Sequence, residues 1–207
     1  KVVVGKIVEI TKHPDADKLV VCKIDVGNET LQIVTGAPNV FEGAVVPVAL
    51  DGSTLANDVH IKKGELRGVE SNGMLCSLEE LGYAQSVIPK EARDGIYIFS
   101  SDTKIGSDVK DILDLNDEVL DIEITPNRPD CLSIIGMSRE TAATFDLPLI
   151  EPKIEFKNET ENITDFIGET VVETKKCSRF YTKVLTDVKI EDSPQWIKNY
   201  LMLAGVR

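Results

Sequence analysis

The sequence predicts a small, mainly β barrel followed by mixed α and β segments. Three observations favour this fold class: short runs of β-branched residues fill the first hundred or so residues, turn-forming residues separate them, and helical signals there are few. Of the 207 residues, 42% are hydrophobic, so the chain has enough apolar material to bury a core. A wholly disordered chain is therefore excluded.

Six short β runs are predicted in this first part, because each is rich in β-branched residues and is bounded by turn residues. In chain order they cover residues 2–10, 18–26, 30–35, 45–50, 61–71 and 96–99, the fifth being broken. Gly27-Asn28 predicts a tight turn between the second and third runs, since both residues tolerate positive φ. So many short strands are typical of a small closed or partly open barrel.

One helix is predicted inside this part, over residues 78–81. Ser77 and Glu80 have the spacing of a capping box, in which each side chain accepts a backbone N–H at the start of a helix. Gly82 follows and predicts the end of the helix, because glycine readily adopts the left-handed conformation found there.

Helical signals become more frequent after Gly106. A short helix is predicted over residues 109–115 and a strand over 119–124. Ser133 then caps a helix over 134–145. Residues 151–169 are acidic, polar and weakly patterned, which indicates a linker or an exposed edge, and a further strand is predicted over 180–188.

A last helix is predicted near the end of the sequence. Ser193 is its expected N-cap, Pro194 occupies the first helical position, and Gly205 ends it. One face of this helix is apolar and would need to be covered. It comprises Trp196, Ile197, Tyr200, Leu201 and Ala204.

Charge and motif content exclude several function classes. The net charge is −12, and the parts before and after Gly106 are both acidic, so any contact with nucleic acid must be local. The sequence has no GxxxxGK[ST], dinucleotide fingerprint, HExxH or GxSxG motif, so no catalytic residue is predicted and a self-contained enzyme is disfavoured. No apolar run approaches the ~20 residues that span a bilayer.

The four cysteines predict reduced thiols and no metal site. Cys22, Cys76, Cys131 and Cys177 lie far apart in the sequence and form no CxxC pair. Isolated thiols in a chain of this length are typical of buried residues in a cytoplasmic protein.

Two loops in the barrel part offer candidate binding residues. His13 and Lys18 belong to HPDADKL, which is either a rigid loop that presents both side chains to a ligand or a turn fixed by Pro14; composition favours the turn. Asn39 lies in another turn, Gly36-Ala37-Pro38-Asn39, and could hydrogen-bond a base or merely its own backbone; the bond to its own backbone is again favoured.

The densest basic cluster of the barrel part comprises Lys62, Lys63 and Arg67. These cations could follow a phosphate backbone across the barrel, and Ser71 could bond a sugar or phosphate. Two glutamates interleave with them, however, and a charged strand is often only the solvated side of a sheet. The residues alone leave the binding and structural interpretations evenly balanced.

A third candidate segment lies after the barrel. Asn127, Arg128 and Asp130 stand in a run with two prolines, Pro126 and Pro129. Arg128 could anchor a partner domain, because its planar guanidinium matches a carboxylate or a pair of carbonyls. The loop could equally serve only to join a strand to the helix that follows.

Two blocks of sequence carry a resemblance to known families. The first comprises VVVGKIVEITKHPDADKLVVCKIDVG, IVTGAPNV and GVESNGMLCSLEELG and resembles the tRNA-binding OB-fold module found alone and fused to several synthetases. Its specific parts are HPDADKL and the S-x-G-M motif of Ser71 to Met74. The second comprises EITPNRPDCLSIIGMSRE and SRFYTKVLTDVKIEDSPQWIKNYLMLAGVR and resembles the bacterial phenylalanyl-tRNA synthetase β subunit.

The resemblance implies a five-stranded OB-type barrel followed by α/β segments that include the start of an editing domain. Residues 1–106 would be the tRNA-binding module, 107–151 an α/β connecting segment packed near it, and 152–207 the truncated start of the editing domain. The implied tRNA contacts are Lys62, Lys63, Arg67, Ser71, Met74, Asn39, His13 and Lys18. The implied partner contacts are Asn127, Arg128 and Asp130.

The resemblance also implies a role in a heterotetrameric enzyme that charges tRNA with phenylalanine. This chain would be a non-catalytic tRNA-binding and assembly portion, cytoplasmic and without a cofactor of its own. ATP and magnesium would belong to the parent enzyme, and its α subunit and the remaining β-subunit domains would be partners beside tRNA. Two alternatives stay open: a stand-alone tRNA-binding protein, and a purely architectural module at the subunit interface.

Overall fold

The computed structural model describes residues 1–155 and 161–206, so part of the predicted linker over 151–169 lies outside the described residues. The chain forms two compact units. The first comprises Lys1–Val119 together with the chain from Asp192 onward, and the second comprises Leu120–Glu191. The resemblance predicts domain boundaries near residues 106 and 151. Those boundaries are defined by family membership rather than by compactness, and they stay a prediction.

The first unit is built on a five-stranded antiparallel barrel, which confirms the predicted fold class. Its strands, in the order β3-β2-β1-β4-β7 across the sheet, are antiparallel neighbours. A separate two-stranded hairpin, β5 with β6, lies between β4 and β7 along the chain. The bounds are β1 Val2–Lys12, β2 Val20–Asp25, β3 Thr30–Thr35, β4 Val45–Leu50, β5 Gly64–Leu66, β6 Val69–Ser71 and β7 Gly73–Leu75.

Alternating side chains of these strands fill the barrel interior. Ile7, Ile24 and Ile33 are fully buried there, with Val46 and Val48 of β4. The opposite face of β4 is buried as well, because Val45 joins a second apolar cluster with Leu78, Tyr97 and Phe99. β4 is therefore covered on both faces, which explains why it reads as a nearly continuous apolar run.

The barrel closes between β3 and the chain around β7. Gly73 has a φ of +149°, and a Cβ there would stand 2.5 Å from the carbonyl oxygen of Ala49. Only glycine permits this close approach of β7 to β4. The glycine of the S-x-G-M motif is thus required by the fold itself.

Three predictions within the first unit are wrong in detail. The run at 61–71 is not one broken strand but holds β5, a turn and β6. The run at 96–99 forms no strand, although Phe99 makes a single bridge to Val45. Residues 78–81 form a turn rather than a helix. The Ser77–Glu80 capping bonds are present, but Gly82, at a φ of +101°, ends the segment after a single turn.

Helix α1, Val109–Ile112, and helix α3, Gln195–Leu203, complete the first unit. The predicted apolar face of α3 is exposed, since Trp196 is 61% and Tyr200 68% accessible. The helix buries Asn199 instead, whose amide donates to the Ile112 carbonyl. Its N-cap is Pro194, one residue later than predicted.

The second unit is organised around helix α2, Ile134–Phe145, as predicted. The Ser133 side chain accepts the Gly136 N–H, and Asp146 ends the helix in the left-handed conformation. The strands predicted over 119–124 and 180–188 do not form, because no described residue pairs with them. None of the helices in the described ranges has the length and apolarity needed to cross a membrane.

Candidate nucleic-acid interface

His13 joins two separate loops of the barrel. It lies at the start of the β1–β2 loop, residues 13–19, and its side chain is 5% exposed. Nδ1 accepts the Asp15 N–H at 3.1 Å, and Nε2 lies 3.0 Å from the Leu66 carbonyl oxygen of the hairpin. Because Nδ1 is an acceptor, the neutral ring carries its proton on Nε2 and donates it to Leu66.

We call residues 62–71 the basic hairpin. Leu66 pairs with Val69, which leaves Arg67 and Gly68 as a two-residue turn. Both have positive φ, +49° and +80°. This is the signature of a type I′ turn, whose twist matches that of the strands it joins.

The other end of the basic hairpin is tied to strand β3. Gln32 donates from its side chain to the Glu70 carbonyl and accepts the Asn72 N–H at its own carbonyl, both at 2.8 Å. The buried Ser71 hydroxyl accepts the Val34 N–H and donates to the Gly73 carbonyl. The Gln32 and Ser71 side chains, together with one backbone bond, thus close the barrel here.

The structure consequently gives Ser71 a defined place in the fold. The residue is 5% exposed, and its hydroxyl has a donor and an acceptor within the barrel. Met74 of the same motif is half-buried against Leu55 and Cys76. No finding tests their predicted contact with tRNA, which stays a prediction.

Four predicted cations are exposed around these two loops. They are Lys18 of the β1–β2 loop and Lys62, Lys63 and Arg67 of the basic hairpin. In the described part of the chain, none of the four has a carboxylate within ion-pair distance. Lys23, by contrast, pairs with Glu9 at 2.6 Å.

Asn39 does not take part in the hydrogen bonds described above that join the β1–β2 loop to the basic hairpin. Its amide donates to the Ile96 carbonyl at 2.8 Å and accepts the Ile96 N–H at 3.0 Å. Both ends of the side chain are therefore used by one backbone residue. The side chain thus bonds the backbone of a distant residue rather than its own, and its predicted contact with tRNA stays a prediction.

Sequence reasoning did not find the residues that hold the two loops together. Leu66 contributes through its backbone and Gln32 through both backbone and side chain, so neither carries a recognisable motif. The one available signal was the Arg67-Gly68 pair inside a predicted strand, because a glycine there indicates a turn.

In the second unit, Arg128 is bound within the fold. Its guanidinium contacts both oxygens of Asp130, at 3.1 and 2.8 Å, and both oxygens of Glu140, at 3.2 and 2.6 Å. We call residues 125–131 the arginine loop. The hydrogen bonds from Arg128 lower the pKa of Asp130 from its ordinary 3.8 to about 2 and also lower the pKa of Glu140. Asn127 beside it is exposed.

The arginine loop also contains a group with metal-ligand chemistry. Ligand atoms of Asp130, Cys131 and Glu140 lie within 4.8 Å of one another. Arg128 already satisfies both carboxylates with charge-assisted hydrogen bonds. The arrangement is an arginine–carboxylate network, since a cation would have to compete with the guanidinium.

Comparison with known proteins places the barrel in a family. The family model described as a putative tRNA binding domain matches residues 2–108, more than half of the chain. The chain therefore belongs to the family of putative tRNA-binding domains. The matched range contains all seven strands, the β1–β2 loop and the basic hairpin.

Relatives extend the similarity over the whole chain. It is 53% identical over 208 residues to the phenylalanine–tRNA ligase beta subunit of Clostridium acetobutylicum and 50% identical over 209 residues to that of Clostridium tetani. Each match covers 100% of this chain and 26% of the relative, so the chain spans about a quarter of the curated relatives' length. The resemblance to the phenylalanyl-tRNA synthetase β subunit is thereby confirmed.

Solved structures were matched as well, and one of them is a MetRS related protein from Pyrococcus horikoshii, 22% identical, with a TM-score of 0.37. The match covers 51% of this chain and 85% of that one.

Proposed function

We propose that the chain binds tRNA through the β1–β2 loop and the basic hairpin. The observation that carries the proposal is a pair of loops, joined by His13, that present four exposed cations with no ion pair among residues 1–155 and 161–206. In OB-type barrels these two positions, the loop after the first strand and the loop between the fourth and fifth, bind oligonucleotides. Membership of the tRNA-binding domain family supports the same ligand.

The interaction is local and electrostatic. The net charge of −12 opposes approach of a phosphate backbone, so the long-range field gives no assistance. Only phosphates next to the four cations gain from contact. We therefore expect weak binding whose salt dependence corresponds to a few phosphates, at about 0.9 per contact for duplex and 0.7 for single-stranded RNA.

Titration of labelled tRNA at two salt concentrations tests the proposal. The wild-type chain should bind, and a Lys62→Ala, Lys63→Ala, Arg67→Ala variant should bind more weakly and with a shallower salt dependence. Lys104→Ala is the matched control. Lys104 is exposed and lies two residues before Gly106. The Gly106 N–H donates to the Val4 carbonyl near the start of β1, whereas the β1–β2 loop follows the end of that strand. Equal binding by the triple variant and the wild type would contradict this site.

We further propose that the parent protein is the β subunit of a phenylalanine–tRNA ligase. Identity of 53% across all of this chain supports that assignment over a stand-alone tRNA-binding protein. The α subunit would hold ATP, magnesium and phenylalanine, and the assembled enzyme would work in the cytoplasm. Calorimetry of this chain with ATP and with phenylalanine should then show no heat of binding; a clear signal from either would contradict the assignment.

An architectural role is a second candidate, and the second unit supplies the observation that favours it. Ile134 and Ile150 are 85% and 88% exposed and line one groove of the second unit with Leu147 and Leu149, and contiguous exposed apolar surface marks contact with other protein. We assign these side chains and Asn127 to contacts with other β-subunit domains. Unchanged tRNA binding by the triple variant would favour this role over RNA binding.

A further inference from the structure

We propose that Arg67 contacts an RNA phosphate from the tip of the basic hairpin, and that His13 is the positioning residue that holds it there. This inference rests on the proposed function. It assigns the contact to one side chain and its geometry to a hydrogen bond that joins two loops.

The conformation of Arg67 is unfavourable for the fold. It occupies the first position of a type I′ turn at a φ of +49°, where asparagine followed by glycine is the preferred pair. A long side chain at positive φ adds strain that asparagine largely avoids. The arginine side chain makes no hydrogen bond or ion pair in the described residues that would offset this strain. An unfavourable residue with no partner inside the fold indicates a role outside it.

The chemistry of the side chain identifies the kind of contact. A guanidinium presents two parallel N–H groups that match the oxygens of a phosphate, and the bonds are charge-assisted. Exposure at the tip of a hairpin leaves both groups accessible. A phosphate of the RNA backbone is the partner that fits this geometry in a tRNA-binding domain.

His13 fixes the orientation of the turn. Its Nε2–H donates to the carbonyl of Leu66, which shares a peptide group with Arg67. The ring is itself held, because it is 5% exposed and its Nδ1 accepts the Asp15 N–H. The hairpin base is fastened separately by Gln32 and by Asp51, whose carboxylate accepts the Lys63 N–H at 2.8 Å. His13 is thus the fastening nearest the tip.

Five variants test the inference by tRNA titration at several salt concentrations: Arg67→Asn, Arg67→Lys, His13→Ala, His13→Gln and the double variant His13→Ala, Arg67→Asn. Arg67→Asn should weaken binding roughly tenfold and lower the salt slope by about 0.7 to 0.9, while thermal stability stays equal or rises. Arg67→Lys should restore the slope but only part of the affinity, because a lysine lacks the planar fork. Lys104→Ala should change neither affinity nor slope.

The double variant separates a positioning role from a structural one. If His13 acts through Arg67, His13→Ala weakens binding in the wild type but has little further effect once Arg67 is asparagine. His13→Gln provides a check that does not depend on His13→Ala folding, since a glutamine amide can donate to the Leu66 carbonyl. It should recover part of the binding.

The outcomes distinguish the inference from the function beneath it. No binding by the wild-type chain would reject the proposed function and this inference with it. Wild-type binding with unchanged affinity for Arg67→Asn would reject only the inference. Additive losses in the double variant, or no recovery in a folded His13→Gln, would reject the positioning role of His13 and leave the Arg67 contact standing.

Discussion

Two arginines occupy opposite situations in this chain. Arg67 stands at the tip of the basic hairpin at positive φ, exposed and without an ion pair in the described residues. Arg128 lies in the arginine loop with its guanidinium bonded to two carboxylates. Both were candidate binding residues in the sequence, yet only Arg67 keeps its charge available to a ligand.

A cation available to a ligand differs from a structural one in whether its own fold supplies hydrogen-bond partners. Arg128 has partners that its own fold supplies, and those partners connect the arginine loop to helix α2 through Glu140. The Arg67 side chain has no such partner among the residues that the structure describes, and its turn would be more favourable with asparagine. The comparison rests on what each side chain contributes to its own fold, which a list of basic residues does not reveal.

The largest effect is expected where the arginine loop meets helix α2. A Cβ on Gly136 would overlap the carbonyl oxygen of Asp130. Gly136→Ala should therefore push the loop away from the helix and destabilise the second unit by about 3 kcal/mol, as overpacking against backbone does. Thermal unfolding and amide hydrogen exchange over residues 128–137 measure this.

Thr141→Ala is the matched control for that experiment, since Thr141 is exposed on the same helix. It should leave both measurements unchanged within about 0.5 kcal/mol. A Gly136→Ala variant as stable as the wild type would show that the loop does not pack on α2 as described.

An intermediate effect is expected on the pH titration of Asp130. Its depressed pKa means that the Arg128 contact stabilises the loop above the unfolded pKa near 3.8 and that this stabilisation is lost as pH falls through about 2. In Arg128→Gln the Asp130 midpoint should rise towards 3.8. NMR of the carboxyl carbon follows the titration directly.

Arg139→Gln is the control for this titration, because Arg139 pairs with Glu151 rather than with Asp130. The Asp130 midpoint should stay near 2 in that variant. If the midpoint were already near 3.8 in the wild type, the Arg128–Asp130 contact would be contradicted, and Glu140 alone would hold Arg128.

The smallest effect is expected in the basic hairpin. Lys62→Gln with Lys63→Gln should alter the free energy of unfolding by no more than about 0.5 kcal/mol, because neither cation has an ion pair to lose within the described ranges. Chemical denaturation measures this. A clearly destabilised variant would mean that these charges serve the fold, as Arg128 does.

The sequence predicted the regular parts of the fold better than its irregular ones. The strands Thr30–Thr35 and Val45–Leu50 and the helix Ile134–Phe145 have the predicted bounds, because each has a clear pattern and clear end signals. The strand predicted over 180–188 does not form: its β propensity is real, but strands need a pairing partner. Propensity without a partner is not enough.

The site was predictable in its residues and not in its geometry. The basic cluster and the HPDADKL loop stood out in sequence, but their connection depends on the Leu66 carbonyl, which every residue possesses. The Arg67 turn was missed because type I′ turns are signalled by asparagine and glycine. Long-range backbone contacts of this kind leave no local pattern.

Chemical-shift mapping on the isotope-labelled chain tests whether tRNA binds to the β1–β2 loop and the basic hairpin. On addition of tRNA, the amide signals of residues 13–19 and 62–71 should shift together, and those around Lys104 and in the arginine loop should stay in place. Shifts centred on the arginine loop, with the basic hairpin unaffected, would contradict the account.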